Sequence, residues 1–373
     1  MNTNVLETLS DLIRINSINP AYEDGRPESH VIAWIETFFA ERGISTWRQE
    51  VFPGRPNLIA RLPGRNPGRR VVLEAHVDTA SITGMTIPPF DPQIRDGLMY
   101  GRGSCDTKAG LAAMMHAVAS LHAEGVVPEC EVWMVAAADE EYSFRGVLKL
   151  CEGLQADAAV VAEPTELRAV VASKGVLRWK VRTRGKAAHS SRPALGVNAI
   201  VGMAKVIEIF ERSAAALTSE HPLLGQASLN IGVIRGGVQV NFVPDSCEIE
   251  IDRRLLPGES AAGVLAGYEA MLAGLGVDVS MEPPMLVDEA LETSVESPVA
   301  QTASAVLRQM GLNGVLAGVP YGSDASKLSR HGVPSIIFGP GSIDQAHAAV
   351  EYVECEQVLR AEEFYRQFLV QFR

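Results

Sequence analysis

Cysteine is scarce and forms no pattern. The chain carries five, Cys105, Cys130, Cys151, Cys247 and Cys355, an odd number with no CxxC pair. That argues against a disulfide framework and against a thiolate zinc site, and for reduced thiols in a cytoplasmic protein. Positive charge is short as well: 33 Lys and Arg stand against 45 Asp and Glu, for a net charge of -12. Without a basic surplus the chain lacks the electrostatic footprint that nucleic acid or an anionic membrane requires. No apolar run reaches the roughly 18 residues that would suggest a membrane span. The first residues, MNTNVLETLSDLIRI, read as an amphipathic helix with charges inside it, not as a secretory signal. Internal repeats and low-complexity tracts are missing too.

What is present is an ordinary globular composition, 47% hydrophobic and 21% charged over 373 residues. That length exceeds what one core usually organises and predicts two domains. Helical periodicity covers residues 4–15 and 28–42, with Gly43 placed to stop the second helix. Strands are expected over 57–61 and from 70, on either side of the turn-rich PGRNPG. Three apolar strands then end in polar residues: VVLEAHVD (71–78), EVWMVAAADEE (131–141) and DAAVVAEP (157–164), with a helix over 108–124. Open α/β sheets build their sites at the carboxyl edge of the strands, so acids at three strand ends predict one shared site.

The texture changes after about residue 172. Strand 174–185, helix 196–212, strands 227–235 and 238–252, helix 259–274 and strand 276–281 make a βαββαβ order, which suggests a ferredoxin-like sandwich. From about 295 the α/β texture returns with helices 297–310 and 324–331, strand 334–339 and a last helix 355–372. The small domain therefore reads as an insertion: 1–172 and 288–373 form the large domain and 173–287 the inserted one.

Residues i and i+2 of a strand share a face, so His76 and Asp78 of HVD are able to act together, the imidazole binding a metal and the carboxylate orienting it. Asp106 lies in the glycine-rich GRGSCDTKAG just before a helix. The loop matches neither GxxxxGK[ST] nor GxGxxG, and a plain N-cap is its simplest alternative reading. Asp139, Glu140 and Glu141 follow an apolar strand, where adjacent acids repel unless a cation or proton relieves them. Glu163 stands before Pro164, and His347 ends FGPGSIDQAH. His30, His116, His122, His221 and His331 have no such context and read as surface or core fillers.

Taken in order, HxD, an Asp in a Gly-rich loop, EE, Glu before Pro and His after a GPG loop resemble the M20 metallopeptidases. That family includes acetylornithine deacetylase, succinyl-diaminopimelate desuccinylase, aminoacylase and glutamate carboxypeptidase. The resemblance covers nearly the whole chain. It implies a three-layer α/β/α catalytic domain of the dizinc-exopeptidase kind, with an inserted ferredoxin-like α+β dimerisation (lid) domain. It implies two divalent metals, zinc first and cobalt or manganese next, with His76 and Glu163 on one, Glu141 and His347 on the other, and Asp106 between them. Asp78 would orient His76, Glu140 would be the general base, and the Asp106–Thr107 peptide would be cis.

From the inserted domain, His189 would donate to the oxyanion in a partner subunit's site. Asn241 and Arg254 would recognise a substrate carboxylate, and alternation puts the neighbouring Arg253 on the opposite face. Gly322 and Ser323 match a substrate-loop motif, with Ser for the usual Thr. HSSRPALGVNAI (189–200), NIGVIRGG, and GPGSIDQAH with the trailing Glu351-Tyr352 lean toward the acetylornithine deacetylase branch. The resemblance thus implies a homodimeric hydrolase of amide bonds in N-acyl amino acids. A dipeptidase, exo-carboxypeptidase or desuccinylase with the same site is the alternative, and a non-catalytic binding protein is the rival of another class.

Overall fold

Asn4 starts the first helix: its side chain accepts the Glu7 N–H at 2.9 Å, and Glu7 accepts the Asn4 N–H at 3.1 Å. This reciprocal pair satisfies two donors that helix geometry leaves open. The protein is described here from a computed structural model that covers residues 4–373.

The chain opens with α1 (Val5–Arg14), α2 (Ser29–Ala40), β1 (Ser45–Phe52), β2 (Arg55–Leu62), β3 (Asn66–His76), β4 (Gln93–Arg95) and β5 (Leu98–Tyr100). It continues with α3 (Lys108–Ala123), β6 (Cys130–Ala137), α4 (Arg145–Cys151), β7 (Ala158–Val161) and β8 (Val170–Ser173). Next come β9 (Gly175–Arg184), β10 (Ala188–His189), α5 (Ala199–Ala215), β11 (Glu220–His221), β12 (Gly225–Gln226), β13 (Ser228–Gly236) and β14 (Phe242–Val243). These are followed by β15 (Ser246–Leu255), α6 (Ala261–Leu272), β16 (Asp278–Met281), β17 (Leu286–Asp288) and β18 (Leu291–Glu292). The chain ends with α7 (Pro298–Gln309), β19 (Ala317–Val319), α8 (Ala325–Arg330), β20 (Ser335–Ile337), β21 (Tyr352–Glu354) and α9 (Cys355–Gln371). Two units result: one runs to Val171 and resumes over Thr293–Ala317 and Ser323–Arg373, and the other holds Ala172–Glu292 with Gly318–Gly322.

The larger unit is a mixed sheet in the order β1-β2-β6-β3-β7-β20-β8. Its centre, β6-β3-β7-β20, is parallel. Strands buried on both faces read as unbroken apolar runs, which is why β3, β6 and β7 are legible in the sequence. Leu73, Ala75, Val132, Met134 and Val160 join the core that α1, α2, α3, α7 and α9 cover. Alternate residues such as Val72, Val135 and Ile337 are buried on the other side, where α4 and α8 pack. Helices on both faces make the three layers expected. His76 lies level with Ala137, and Val161 with Glu74 and Ile337, so four strands end at one edge. The stacked rings of Phe338 and Phe364, centroids 3.7 Å apart, and the Tyr365 hydroxyl donating to the Phe338 carbonyl at 2.6 Å hold that end of β20 to α9.

The smaller unit is antiparallel in the order β13-β15-β9-β16, the 4-1-3-2 arrangement of a ferredoxin-like sandwich. Trp179, Val181, Ile249 and Ile251 face Met203, Val206 and Phe210 of α5 and Tyr268 and Leu272 of α6. The opposite face of the sheet is a charge ladder set by register: Arg182, Lys180 and Arg178 lie across from Glu248, Glu250 and Asp252. Such cross-strand pairs contribute roughly 0.2–1 kcal/mol each.

Some elements differ from expectation. β15 begins at Ser246 and not at 238: Gly237 has φ +73°, Pro244 lacks a donor, and Phe242–Val243 pairs with β10 instead. β1 escaped notice because its residues are exposed or half-buried and show no apolar face. The short α4, which lacks a side-chain cap, and the small sheet β21-β5-β4 were also not foreseen. The return to the larger unit falls at Thr293, not 288, because β17 pairs with β9.

His116 of α3 offers a test of this packing. Its Nε2 lies 2.7 Å from the Thr8 hydroxyl, and burial together with the Arg42 charge lowers its pKa from 6.5 to about 4. The unfolded chain therefore takes up a proton below pH 6.5 that the fold resists, and stability contributed above 6.5 is lost as pH falls toward 4. The expected slope is at most about 1.4 kcal/mol per pH unit. His116→Gln should flatten the pH dependence of urea unfolding between pH 6.5 and 4.5; an unchanged slope would show that this imidazole does not set it.

Candidate metal centre

His76 is the last residue of β3 and is buried. Its Nδ1 lies 3.0 Å from the main-chain carbonyl of Asp78, which leaves Nε2 turned to Asp106 Oδ1 at 3.1 Å. The Asp78 carboxylate is farther from the imidazole, 3.7 Å from Nδ1. It accepts instead the N–H groups of Glu140 and Glu141, each at 3.1 Å, and the Asn19 amide at 2.7 Å. Asn19 also donates to Asp139, at 3.0 Å, and Asp139 takes Arg55, whose other partner is the buried Glu28. Asp139 has φ +68°, a left-handed turn that redirects the chain as it leaves β6. The segment after α1 thus braces the acid turn, with Tyr22 donating to the Glu141 carbonyl at 3.1 Å and Ser17 to the Val77 carbonyl at 2.7 Å.

Asp106 stands between two imidazoles, 3.1 Å from His76 and 3.3 Å from His347. The Asp106–Thr107 peptide is cis. His347 also lies 3.1 Å from Glu141. Two groups of donors result, His76 with Asp106 and Glu163, and Asp106 with Glu141 and His347, each with its ligand atoms within 4.8 Å of one another. Asp106 is common to both. Glu140 belongs to neither; its carboxylate is 4.0 Å from His76 Nε2 and its side chain is 13% exposed.

Burial pushes the carboxyls of Glu140, Glu141 and Glu163 above the usual range, and neighbouring acids add to it. Burial would lower His76, yet its bond to Asp106 and the charges of Glu140, Asp106 and Glu163 hold it well above its usual value. His347 rises to about 11 through Asp106 and then Glu141. Burial would raise Asp106, but the bonds from His347 and His76 keep it low. The site thus draws protons to offset crowded negative charge. Divalent cations held by carboxylate oxygen and imidazole nitrogen would relieve the same charge, so the donor set fits them.

In the smaller unit His189 and Asn241 are brought together: His189 pairs with Phe242, and the Asn241 carbonyl accepts the Ser190 N–H at 3.0 Å. His189 is exposed and lies 2.8 Å from the Ser191 hydroxyl. Arg254 projects from the charged face of β15, its Nε 2.8 Å from Asp252, while Arg253 is buried against Glu259 at 2.6 Å. A Cβ on Gly322 would fall 1.7 Å from Asp288 Oδ2, so a larger residue there would have to displace the Asp288 carboxylate. Ser323 belongs to the larger unit, is fully buried, and accepts Lys327 Nζ through its carbonyl at 3.1 Å.

Asn19, Glu28 and Arg55 were missed because nothing in their local sequence marks them; they meet the acids only through tertiary contact. Glu74 did leave a signal, an acid inside an apolar strand. It is fully buried, and burial and then Asp324 raise its carboxyl well above normal.

A parallel-centred sheet with helices on both faces, carrying shared carboxylates and imidazoles at its carboxyl edge, defines a metallohydrolase. Its family is shown by sequence: the description "Peptidase family M20/M25/M40" matches residues 72–371, and the chain belongs to that family. Acetylornithine deacetylase of Myxococcus xanthus is 30% identical over 370 residues, covering 95% of this chain and 94% of that protein. Among solved structures, aminopeptidase PepT from Bacillus cereus matches with a TM-score of 0.80 at 22% identity, over 98% of this chain and 97% of that one. A Bacillus subtilis protein described as a dinuclear metal binding peptidase of the M20 family matches at 0.74 and 18% identity, over 98% and 96%. No helix among the described residues is long and apolar enough to cross a membrane.

Loss of a residue that orients ligands typically weakens metal binding by about 10- to 100-fold. Asn19→Ala is expected to fall in that range for Zn²⁺ measured by competition with a chromophoric chelator. An affinity equal to the wild type would remove Asn19 from the support of the acid turn.

Proposed function

We propose that the protein hydrolyses the amide bond of an N-acyl amino acid, with N-acetylornithine the first substrate to try. The observation that supports this most is the division of the acid turn: Glu141 joins His347 and Asp106, whereas Glu140, next in the chain, stands outside both donor groups yet 4.0 Å from His76. His76 and Glu163 would hold one ion and Glu141 and His347 the other, with Asp106 between them; zinc suits this oxygen and nitrogen set, and cobalt or manganese would fit it too. Bound there, divalent metal would polarise the substrate carbonyl and acidify the attacking water. Glu140 removes the proton from that water and returns it to the leaving amine, which therefore departs neutral. Asp78 holds Glu140 in place through the Glu140 N–H.

His189 is assigned to the oxyanion, as a donor from a partner subunit, and Arg254 with Asn241 to the substrate carboxylate. Asp252 supports the Arg254 role by fixing one edge of the guanidinium. Gly322 keeps its loop against Asp288, and Ser323 acts by shaping the start of α8. A homodimer is favoured by the free edge of β13 and by Ile200, Val201, Ile234 and Val238, which are exposed on the same unit. Five free, buried cysteines suit a reducing compartment, in keeping with a cytoplasmic site of action.

A panel of N-acetylornithine, N-succinyl-diaminopimelate, N-acetylmethionine and dipeptides with added Zn²⁺ or Co²⁺ tests the reading. Turnover of an N-acyl amino acid is expected; turnover of dipeptides alone would move the assignment to a peptidase. Glu140→Gln should retain metal by elemental analysis and lose at least about 100-fold in kcat. Full activity in that variant would overturn the general-base role.

A further inference from the structure

His347 is poorly held by its surroundings. Its side chain is 56% exposed, and its φ of +58° is one that a residue with a Cβ keeps only when neighbouring contacts enforce it. Its loop is therefore anchored from its ends. At one end the Ser342 carbonyl accepts Cys105 Sγ at 3.3 Å. At the other stands Glu351, fully buried and four residues beyond His347. One Glu351 oxygen lies 2.6 Å from Arg102, which is itself buried and also donates to the Ser81 carbonyl at 2.7 Å. The other oxygen accepts the N–H of Cys105 at 2.9 Å and that of Asp106 at 3.1 Å. The Glu351 carbonyl accepts the Gly101 N–H at 3.1 Å.

A single buried carboxylate thus ties together two loops far apart in sequence, the one that carries Asp106 and the one that carries His347. Asp106 has a second support in the buried His76; the His347 side chain meets only Asp106 and Glu141 among the described residues, and two residues on the Ala349 carbonyl accepts the Thr86 N–H at 2.9 Å. The anchor is costly to build, because a buried acid and a buried arginine must each be desolvated, and a packed apolar pair would stabilise the fold at least as well.

We propose that Glu351 is a positioning residue for the ion held by Asp106, Glu141 and His347. Its carboxylate sets the distance between the Asp106 and His347 loops, and Arg102, 2.6 Å away, orients that carboxylate. This rests on the two-ion reading above and goes beyond it by assigning unequal dependence to the two ions. Losing Glu351 loosens the His347 loop, while His76 at the end of β3 and Glu163 just beyond β7 keep their places, with His76 still 3.1 Å from Asp106.

The test is a Co²⁺ titration of the metal-free protein, followed by visible absorption and by the metal retained after gel filtration. The wild type is expected to take up two equivalents. Glu351→Gln should bind the first as the wild type does and the second about 10- to 100-fold more weakly, with an altered absorption band for the second. Arg102→Lys keeps the charge and both N–H bonds to Glu351 but loses the fork to Ser81. It should melt earlier than the wild type and still bind both equivalents. If Glu351→Gln binds both equivalents normally, or weakens both equally, or if Arg102→Lys loses the second ion as fully as Glu351→Gln, the inference is overturned. Should Glu351→Gln not fold, Arg102→Met with Glu351→Met, which leaves no unpaired buried charge, is measured in its place with the same outcomes expected. A wild type that binds no Co²⁺ would overturn the two-ion reading itself.

Discussion

The structure depends on one shared carboxylate. Asp106 lies within hydrogen-bonding reach of His76 on one side and close to His347 on the other, and among the described residues no other belongs to both donor groups. Everything around it serves to keep a charged group buried among like charges. The imidazoles offset its charge, Glu351 accepts its N–H, and the surrounding acids are pushed toward protonation because burial disfavours them charged. Such a concentration of buried negative charge is costly to the fold, and it suits a candidate site for divalent cations.

The rest of the larger unit can be read as the scaffold that tolerates this. The parallel centre of the sheet brings four strand ends level, so residues far apart along the chain arrive at one edge. The apolar bodies of those strands carry the stability, and the polar cost is confined to their ends. The segment after α1 then acts as a brace. Ser17, Asn19 and Tyr22 each contact the strand-end loops, so a stretch with no chemistry of its own decides where Glu140 and Glu141 point.

Asp78 shows how a residue can be anticipated correctly in place and differently in contact. Its spacing from His76 suggested a carboxylate behind an imidazole. In the fold the imidazole rests on the Asp78 carbonyl, and the carboxylate reaches across to the N–H groups of the acid turn. Strand periodicity foresees the face a side chain takes; it does not foresee that the chain leaves β3 at His76 and that the next two residues are free to turn. Arg253 and Arg254 show the opposite case. They sit inside a regular strand, where period two is enforced by the ladder, and the expected split into one buried and one outward arginine holds.

The sequence by itself determined the large elements and marked the residues that the fold gathers into the two candidate donor groups. Buried strands must be apolar, and acids or histidines placed at the ends of three such strands have few other reasons to be there. It also determined the inserted sandwich, through a change from unbroken apolar runs to alternation. Only the tertiary structure decided the supports: Asn19 behind Asp78, Arg55 with Glu28 behind Asp139, and Arg102 with Glu351 behind Asp106. Each joins residues distant along the chain by hydrogen bonds that no local pattern encodes. Donor chemistry is a property of residue type and leaves a mark in the sequence, whereas orientation arises from the closing of loops against one another and exists only once the chain has folded.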